Sequence, residues 1–258
     1  MCYNVKANVE SQLKRAQKAG YYKDAEEIKS TLSELGVKSH NHASGFSHPE
    51  LLIYTEPDAE PVPAIWGLVP HWVKNNEQRL KIWNQTLNAR GDSIFEKPSF
   101  RDAAKSHRCV VYVDGFFEFH YHNNKAYPFY IRRKDGEPIA IAGLWSEWVN
   151  RENKEKLRTF TIITTDGNKL LTKIHNNPKL ADNARMPALL TEDKADEWMS
   201  PDKNEKQLTQ LLLPFPDDLL EAHPVKKIIG KGVIENDPEA DKEVVYPELK
   251  EEYENGKL

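Results

Sequence analysis

A run of closely spaced strand patterns in the middle of the chain limits the possible folds most strongly. Between residues 108 and 145 the sequence reads RCVVYV, FFEFHYH, PFYIRR and IAIAGLW, separated by Asp-Gly, Asn-Asn-Lys and Lys-Asp-Gly-Glu-Pro turn signals. This spacing predicts a meander of antiparallel strands. A further strand pattern, RTFTIITT, ends at Asp166-Gly167. Because helical patterns flank this β-rich centre without regular βαβ alternation, the sequence favours an α+β fold over a doubly wound sheet.

The segment near the start of the chain has helical spacing. Apolar residues recur at helical intervals between residues 9 and 35, at Leu13, Ala16, Ala25, Ile28, Leu32 and Leu35. The pattern predicts a helical region with Asn8 as its N-cap, Gly36 just past its end and Gly20 dividing it into two helices.

Shorter elements are predicted on both sides of the strand-rich centre. ELLIYTE at residues 50–56 predicts a strand, and PVPAIWGLVPHW after it is interpreted as a proline-punctuated connection. NKLLTKI at residues 168–174 predicts a short helix that places His175 at its end. Thr191 is the predicted N-cap of a helix that carries Trp198, and QLTQLLLPFPDDLL closes the globular part.

Length and composition predict one large soluble domain. The chain has 258 residues, of which 39% are hydrophobic and 29% charged, enough for a sizeable core. No apolar run approaches the roughly 18 residues of a membrane span, and the first twenty residues lack the apolar region of a signal peptide. Two cysteines do not suggest a disulfide framework, so the reducing cytoplasm is the simplest location.

Negative charge is concentrated at the end of the chain. Residues 235–258 contain nine acidic residues and three lysines, a net charge of −6, which leaves +2 for residues 1–234 of a chain whose total is −4. The pattern is typical of a solvated tail. We therefore expect one domain over residues 1–236, followed by an acidic C-terminal tail over residues 237–258.

Cys2 is the residue with the greatest chemical potential. If Met1 is removed, Cys2 carries a free α-amine and a thiol on adjacent carbons, and both groups titrate within about two units of neutral pH. An aldehyde that condensed with the amine would give an imine, and attack of the thiol on that imine would close a thiazolidine ring. Position alone leaves open a small second residue with no chemical task.

Three further sites carry candidate functional side chains. In Asn88-Ala-Arg90 the amide could hold a sugar hydroxyl and the guanidinium a phosphate, although the motif taken alone favours a structural turn. Glu118 is flanked by phenylalanines, which would desolvate it, raise its pKa and suit it to proton transfer, unless it faces solvent. His175 could act as an acid or base or could cap helix carbonyls.

The remaining histidines and cysteine are interpreted as structural. His40, His42 and His48 lack cysteines or carboxylates at metal-ligand spacing, so we expect loop histidines and neither a metal nor another cofactor. Cys109 alternates with valines and is a predicted core residue.

Taken together, these segments resemble the SOS response-associated peptidase (SRAP) family. The matching motifs are MC at the start, SGFSHPELLIYT, IWGLVPHW, LNAR, VVYVDGFFEF, IAGLWSEW, TFTIITT, IHNNPKLADNARMPALL and ADEWM, in family order. The resemblance implies a single domain with a barrel-like β core flanked by helices, with residues 9–36 as a helical insertion. It also implies a protein that senses abasic sites in single-stranded DNA and bonds covalently to the sugar aldehyde as a thiazolidine. Autoproteolytic removal of Met1 and a lyase side activity belong to the same expectation.

The resemblance assigns roles to eight residues. It implies Cys2 as nucleophile, Asn88 as the group that holds the opened sugar, Glu118 as acid or base and His175 beside them. Arg90 and Arg185 match arginines that contact DNA phosphates, and Trp66 or Trp72 would supply a stacking surface.

Three features depart from the family pattern. Tyr3 and Asn4 replace a common Gly-Arg pair, Phe119 stands where tryptophan is common, and His175 and Arg185 lie ten residues apart instead of two.

The sequence leaves two other functions open. An N-terminal cysteine also begins amidohydrolases of the N-terminal nucleophile class, in which the thiol attacks an amide. A non-covalent single-strand binder could use Trp66, Trp72 and the basic segment 97–108.

Overall fold

A computed structural model of the chain describes residues 2–18, 36–178, 184–256 and 258. The strands of this part are β1 Asn4–Ala7, β2 His40–Ser44, β3 Glu50–Tyr54, β4 Val62–Trp66, β5 Asn88–Arg90, β6 Arg108–Val113, β7 Gly115–His122, β8 Lys125–Arg133, β9 Ile139–Val149, β10 Lys156–Asp166, β11 Arg185–Pro187, β12 Leu189–Leu190 and β13 Leu220–Pro224. Its helices are α1 Val9–Lys18, α2 Asn76–Trp83, α3 Arg101–Ser106, α4 Lys169–Ile174, α5 Glu192–Met199, α6 Glu205–Leu211 and α7 Lys250–Glu254. Within the described ranges, no helix combines the length and apolar character needed to cross a bilayer.

Five strands close into a barrel, which confirms the predicted α+β fold with a barrel-like core. The strands pair in the order β10, β4, β3, β6 and β9, and β9 pairs with β10 to complete the ring. All six residues of β6 are buried. One face of this strand packs in the hydrophobic cluster that contains Trp66 and Phe160, and the other face packs in a second cluster formed with residues of α1, α3, α5 and α6. A strand covered on both faces must be continuously apolar, as RCVVYV nearly is.

A second sheet stands beside the barrel and carries the N-terminus. Its order is β13, β8, β7, β1 and β2, and all its pairs are antiparallel. The pairing of β1 with β7 sets Asn4 opposite Phe117 and Val5 opposite Phe116. With this register, the N-terminal residues run alongside β7, the strand that contains Glu118.

The predicted meander is divided between the two sheets, so the predicted turn at Asp114-Gly115 is wrong. β6 pairs with β3 and β9, whereas β7 pairs with β1 and β8. The Asp114 carboxylate holds the crossing point by accepting hydrogen bonds from the Asn8 backbone (2.6 Å) and the Ser11 hydroxyl (2.8 Å). A Cβ on Gly115 would lie 2.5 Å from the Ile131 carbonyl oxygen, so only glycine fits where the chain changes sheets.

The helix predictions are confirmed where the structure describes them. Leu13 and Ala16 of α1 are buried, and the Asn8 carbonyl accepts a hydrogen bond from Gln12 N. Asn168 caps α4, and Thr191 precedes α5, which buries Trp198. The predicted second helical half, with Ala25, Ile28, Leu32, Leu35 and Gly20, lies outside the described residues.

The interpretation of residues 61–72 as a connection is wrong for its first half, which forms β4. Pro63 is tolerated because at that point β4 pairs with β3 alone, and β10 joins only at Ile65 and Trp66. A proline lacks a donor and is therefore accepted where one side of a strand is unpaired.

The interpretation of residues 237–258 as a solvated tail is also wrong. Leu249 is fully buried, and Tyr246 packs on Tyr127 with ring centroids 5.0 Å apart. The Asp241 carboxylate pairs with the Lys6 ammonium at 2.7 Å. The segment returns to the second sheet because apolar side chains are interspersed among its acidic residues.

Candidate active site and nucleic-acid groove

Cys2 lies next to Glu118 because β1 pairs with β7. The Cys2 side chain is completely buried, and its Sγ lies 3.6 Å from the Asn4 carbonyl oxygen. Burial, together with the negative charge of Glu118, raises the pKa of the thiol to about 12. The thiol is therefore neutral near pH 7, and reaction through sulfur requires a nearby group that accepts its proton.

Glu118 has the desolvated environment that the phenylalanines around it predict. The residue is 6% exposed, and its Oε1 accepts a hydrogen bond from Phe119 N at 3.1 Å. Burial raises the pKa of the carboxyl from its ordinary value to about 7, which confirms the predicted direction. Near neutral pH both protonation states are populated, so Glu118 can donate and accept a proton.

His175 follows α4 and faces the same carboxyl group. Its Nδ1 lies 3.8 Å from Glu118 Oε2 and 3.0 Å from the Arg185 carbonyl oxygen. Burial lowers the pKa of the imidazole to about 4, so the ring is neutral at physiological pH. The short helix predicted from the sequence thus brings His175 to Glu118.

Asn88 lies at the edge of the barrel, where β5 pairs with β10. Its amide oxygen and nitrogen are both buried, and neither makes a hydrogen bond within the described residues. Burial raises the pKa of the Tyr3 phenol, and a polar contact with this amide partly offsets the rise, although its geometry falls outside that of a normal hydrogen bond. Buried amides are normally satisfied, so the arrangement is suited to bind a polar ligand.

A groove of about 410 Å³ begins at Asn88 and continues along the surface; its lining includes Tyr3, Asn84, Asn88, Arg90, Lys97 and Phe100. Arg90 is exposed and pairs with Asp92 at 2.9 Å. Trp72 lies near the groove, because its Nε1 donates to the Pro98 carbonyl oxygen at 3.2 Å, and it is 42% exposed. The groove therefore combines cationic and aromatic groups.

Trp66 cannot provide the predicted stacking surface. It is completely buried, its Nε1 donates to the Leu87 carbonyl oxygen, and its ring stacks on Phe160. The side chain belongs to the barrel core because β4 is an interior strand. Of the two predicted tryptophans, Trp72 alone is exposed.

Arg185 is likewise not placed to contact DNA phosphates. Its side chain is 6% exposed, and its guanidinium donates to the Thr164 carbonyl oxygen at 2.7 Å and to Asp166 at 3.1 Å. The pairing of β11 with β10 turns the side chain inward. Its backbone instead contacts His175, which gives Arg185 a structural part in the site.

Two aromatic residues at the groove were not predicted as site residues. Tyr3 packs against Phe46 with ring centroids 4.9 Å apart and the rings tilted by 37°, and Phe46 is 56% exposed. Two features of the sequence could have indicated these residues. Tyr3 stands where the family commonly has glycine after Cys2, and Phe46 is the aromatic residue of the SGF segment. The interpretation of His40 and His42 as loop histidines is wrong, because both lie in β2. His42 contacts Asn4 at 2.9 Å, and His48 contacts the Trp66 carbonyl oxygen at 2.7 Å.

Comparison with known proteins gives one consistent result. The family model "SOS response associated peptidase (SRAP)" matches residues 1–232. The Bacillus subtilis "Abasic site processing protein YoqW" is 36% identical over 167 residues, which cover 64% of this chain and 69% of the relative. The rat "Abasic site processing protein HMCES" is 30% identical over 230 residues, which cover 75% of this chain and 62% of the relative.

A solved structure shares the fold. A crystal structure of a Bacteroides thetaiotaomicron protein superimposes with a TM-score of 0.81 at 32% identity, covering 95% of this chain and 100% of the other. With the family model matching most of the chain, the protein belongs to the SOS response-associated peptidase family.

Proposed function

We propose that the protein processes abasic sites in single-stranded DNA by forming a covalent bond through Cys2. The observation that carries the proposal is the buried cluster of Cys2, Glu118 and His175 beside Tyr3, whose phenol also contacts the Asn88 amide. Two curated relatives are named abasic site processing proteins, which supports the same substrate.

The reaction begins with loss of Met1, which we propose the protein itself catalyses. The free amine of Cys2 then condenses with the aldehyde of the ring-opened sugar, which forms a C–N double bond and releases one water. The thiol adds to the imine carbon and its proton passes to the nitrogen. The product is a thiazolidine, in which one carbon of the sugar is bonded to both sulfur and nitrogen.

Glu118 and His175 supply the proton transfers. Glu118, with a pKa of about 7, donates a proton to the hydroxyl that leaves as water and then accepts the proton of the thiol. His175 is neutral at this pH and orients the carboxyl from 3.8 Å. If the imine persists, removal of a proton from the next sugar carbon leads to β-elimination of the 3′-phosphate, which is the lyase side reaction.

The groove supplies the contacts to single-stranded DNA. We propose that the Asn88 amide binds a hydroxyl of the opened sugar, that Arg90 and Lys97 contact the adjacent phosphates, and that Trp72 stacks on a base. An abasic sugar has no base to unstack, so little energy is needed to draw it into the site. Few phosphate contacts suffice, because the covalent bond gives the complex its lifetime.

The experiment compares two oligonucleotides of the same sequence. One contains a single abasic site and the other an intact base, and each is incubated with the protein and then heated in detergent. We expect a heat-stable complex with the abasic strand alone, and none with Cys2→Ala. A complex that disappears on heating would instead identify a non-covalent binder, and glutaminase activity without a DNA adduct would identify an amidohydrolase.

A further inference from the structure

The C-terminal helix docks on the strand that carries Glu118. Glu252 of α7 contacts two histidines of β7, with Oε2 2.5 Å from His120 Nε2 and Oε1 3.1 Å from His122 Nδ1. His120 is 2% exposed, and the Glu252 side chain is 15% exposed. Glu252 lies outside residues 1–232, the range that the family model matches, whereas both histidines lie inside it.

His120 has an oxygen partner at each of its two ring nitrogens. Its Nδ1 lies 3.0 Å from the Lys173 carbonyl oxygen, which can only accept, so Nδ1 carries a proton. Its Nε2 faces a carboxylate. Although partial burial alone would raise it, the hydrogen bonds from His120 and His122 hold the pKa of Glu252 below its ordinary value. The ionised carboxylate makes the hydrogen bond between His120 and Glu252 a charge-assisted one.

His120 links Glu252 to the end of α4. The carbonyl group that it binds belongs to Lys173, two residues before His175. The Lys173 ammonium donates back to the Gly256 carbonyl oxygen at 3.0 Å, so α4 and the C-terminal segment are joined twice.

Asn176 fixes the other side of His175 to the same strand. Its Oδ1 accepts from Tyr121 N at 2.6 Å, and its Nδ2 donates to the Tyr121 carbonyl oxygen at 3.0 Å. His175 therefore lies between two attachments to β7, one of which depends on Glu252.

We propose that Glu252, acting through His120, is a positioning residue that holds His175 against Glu118. The C-terminal segment thus helps to position a side chain of the site. The effect of Glu252 on cross-linking to DNA rests on the proposed function, whereas its effect on the position of His175 does not. Without Glu252, His120 loses the carboxylate that holds its ring in place, the Lys173 carbonyl is bound less firmly, and His175 gains access to solvent.

The ionisation of His175 reports this change directly. NMR of protein labelled with ¹³C and ¹⁵N histidine follows its ring, with the resonance assigned by His175→Gln. We expect the ¹⁵N shifts of the wild-type ring to remain those of a neutral imidazole above pH 5.5, because the pKa of His175 is about 4 and the ionisation of Glu118 near pH 7 adds no proton to the ring. In Glu252→Ala we expect the pKa to rise toward the ordinary value of 6.5 and the amides of residues 171–176 to exchange about tenfold faster.

Two variants serve as controls. Glu251→Ala removes the same charge from an exposed neighbour on α7 and should leave His175 unchanged. Glu252→Gln should restore most of the wild-type behaviour, because a neutral His120 protonated on Nδ1 can accept a hydrogen bond from the amide. If Glu252→Ala does not fold, Glu252→Asp takes its place, since its carboxylate is one methylene too short to reach His120.

Two results would overturn the proposal: a folded Glu252→Ala protein in which His175 titrates as in the wild type, or an equal shift in Glu251→Ala. The rate of cross-linking to an abasic oligonucleotide should fall about tenfold in Glu252→Ala. If the wild type forms no cross-link at all, the proposed function fails while the His175 titration still decides the positioning.

Discussion

His175 Nδ1 lies 3.8 Å from Glu118 Oε2, and both side chains are buried. Burial displaces their pKa values in opposite directions, to about 7 for the carboxyl and about 4 for the imidazole. Between these values both groups are predominantly neutral, so the contact is not an ion pair over most of the acidic range. A protonated Glu118 carboxyl beside a neutral imidazole keeps its proton available for a substrate, because the imidazole is the weaker base of the two.

The first prediction concerns the pH dependence of stability. The folded-state pKa of Glu118 is raised, so its contribution to the free energy of unfolding falls as pH rises from about 4.5 to 7. The folded-state pKa of His175 is lowered, so its contribution rises with pH from about 4 to 6.5. The two slopes have opposite signs and offset each other in the wild type.

Substitution of either residue should reveal the pH dependence of stability that the other one contributes. Relative to the wild type, Glu118→Gln should gain about 2 to 3 kcal/mol of stability between pH 4.5 and 6.5, and His175→Gln should lose a similar amount. Urea unfolding at both pH values measures the difference. Parallel pH profiles for all three proteins would show that neither pKa is displaced by folding.

Much of the fold and of the reactive cluster follows from local sequence. The alternation in FFEFHYH places Glu118 among phenylalanines, and NKLLTKI with its Asn168 cap ends at His175. These predictions succeed because strand alternation and helix capping act within a few residues. Closure of the barrel by the pairing of β9 with β10 is consistent with the strand-rich pattern.

Features that depend on distant contacts could not be predicted in the same way. Trp66 and Trp72 occur in one motif, yet the first is buried and the second exposed because β4 ends between them. Arg185 is buried by pairing with β10, and the acidic C-terminal segment folds back because His120 and Lys6 lie where it docks. For Arg185 and for the C-terminal segment, the residues that they contact are more than ten positions away in sequence.

The second prediction separates the two nucleophiles of Cys2. In Cys2→Ser the amine remains once Met1 is removed, but the hydroxyl is a weaker nucleophile than sulfur and should not close a comparably stable ring. The complex should become reversible, borohydride should trap it as an amine, and strand cleavage by β-elimination should increase. Cys2→Ala should behave similarly, whereas an uncleaved N-terminal tag should abolish both trapping and cleavage. A heat-stable Cys2→Ser complex at wild-type yield without borohydride would make the thiol unnecessary.

The third prediction concerns Asn88. Because its buried amide makes no hydrogen bond within the described residues, Asn88→Ala should leave the melting temperature unchanged or slightly higher. The same substitution should slow cross-linking about tenfold to a hundredfold, since a hydrogen bond to the substrate is lost. Asn84→Ala, an exposed amide in the same groove, is the control. A clear loss of stability in Asn88→Ala would show that the amide is structural.

The fourth prediction contrasts the two tryptophans. Trp66→Ala should destabilise the fold by about 3 to 5 kcal/mol, because it leaves a cavity in the barrel core. Trp72→Ala should alter stability by less than about 1 kcal/mol but weaken binding to single-stranded DNA about tenfold. Urea unfolding and fluorescence anisotropy with an uncleavable abasic analogue measure the two effects. Unchanged binding by Trp72→Ala would remove this residue from the DNA groove.

The most direct test of the central claim is the mass of the N-terminal tryptic peptide from the adduct with an abasic oligonucleotide. After nuclease digestion, we predict that residues 2–6, without Met1, carry the sugar remnant and have lost one water, as ring closure through amine and thiol requires. The thiol should also resist alkylation in that peptide. A remnant on a lysine, on a peptide that retains Met1, or on a Cys2 whose thiol still reacts would contradict the thiazolidine mechanism.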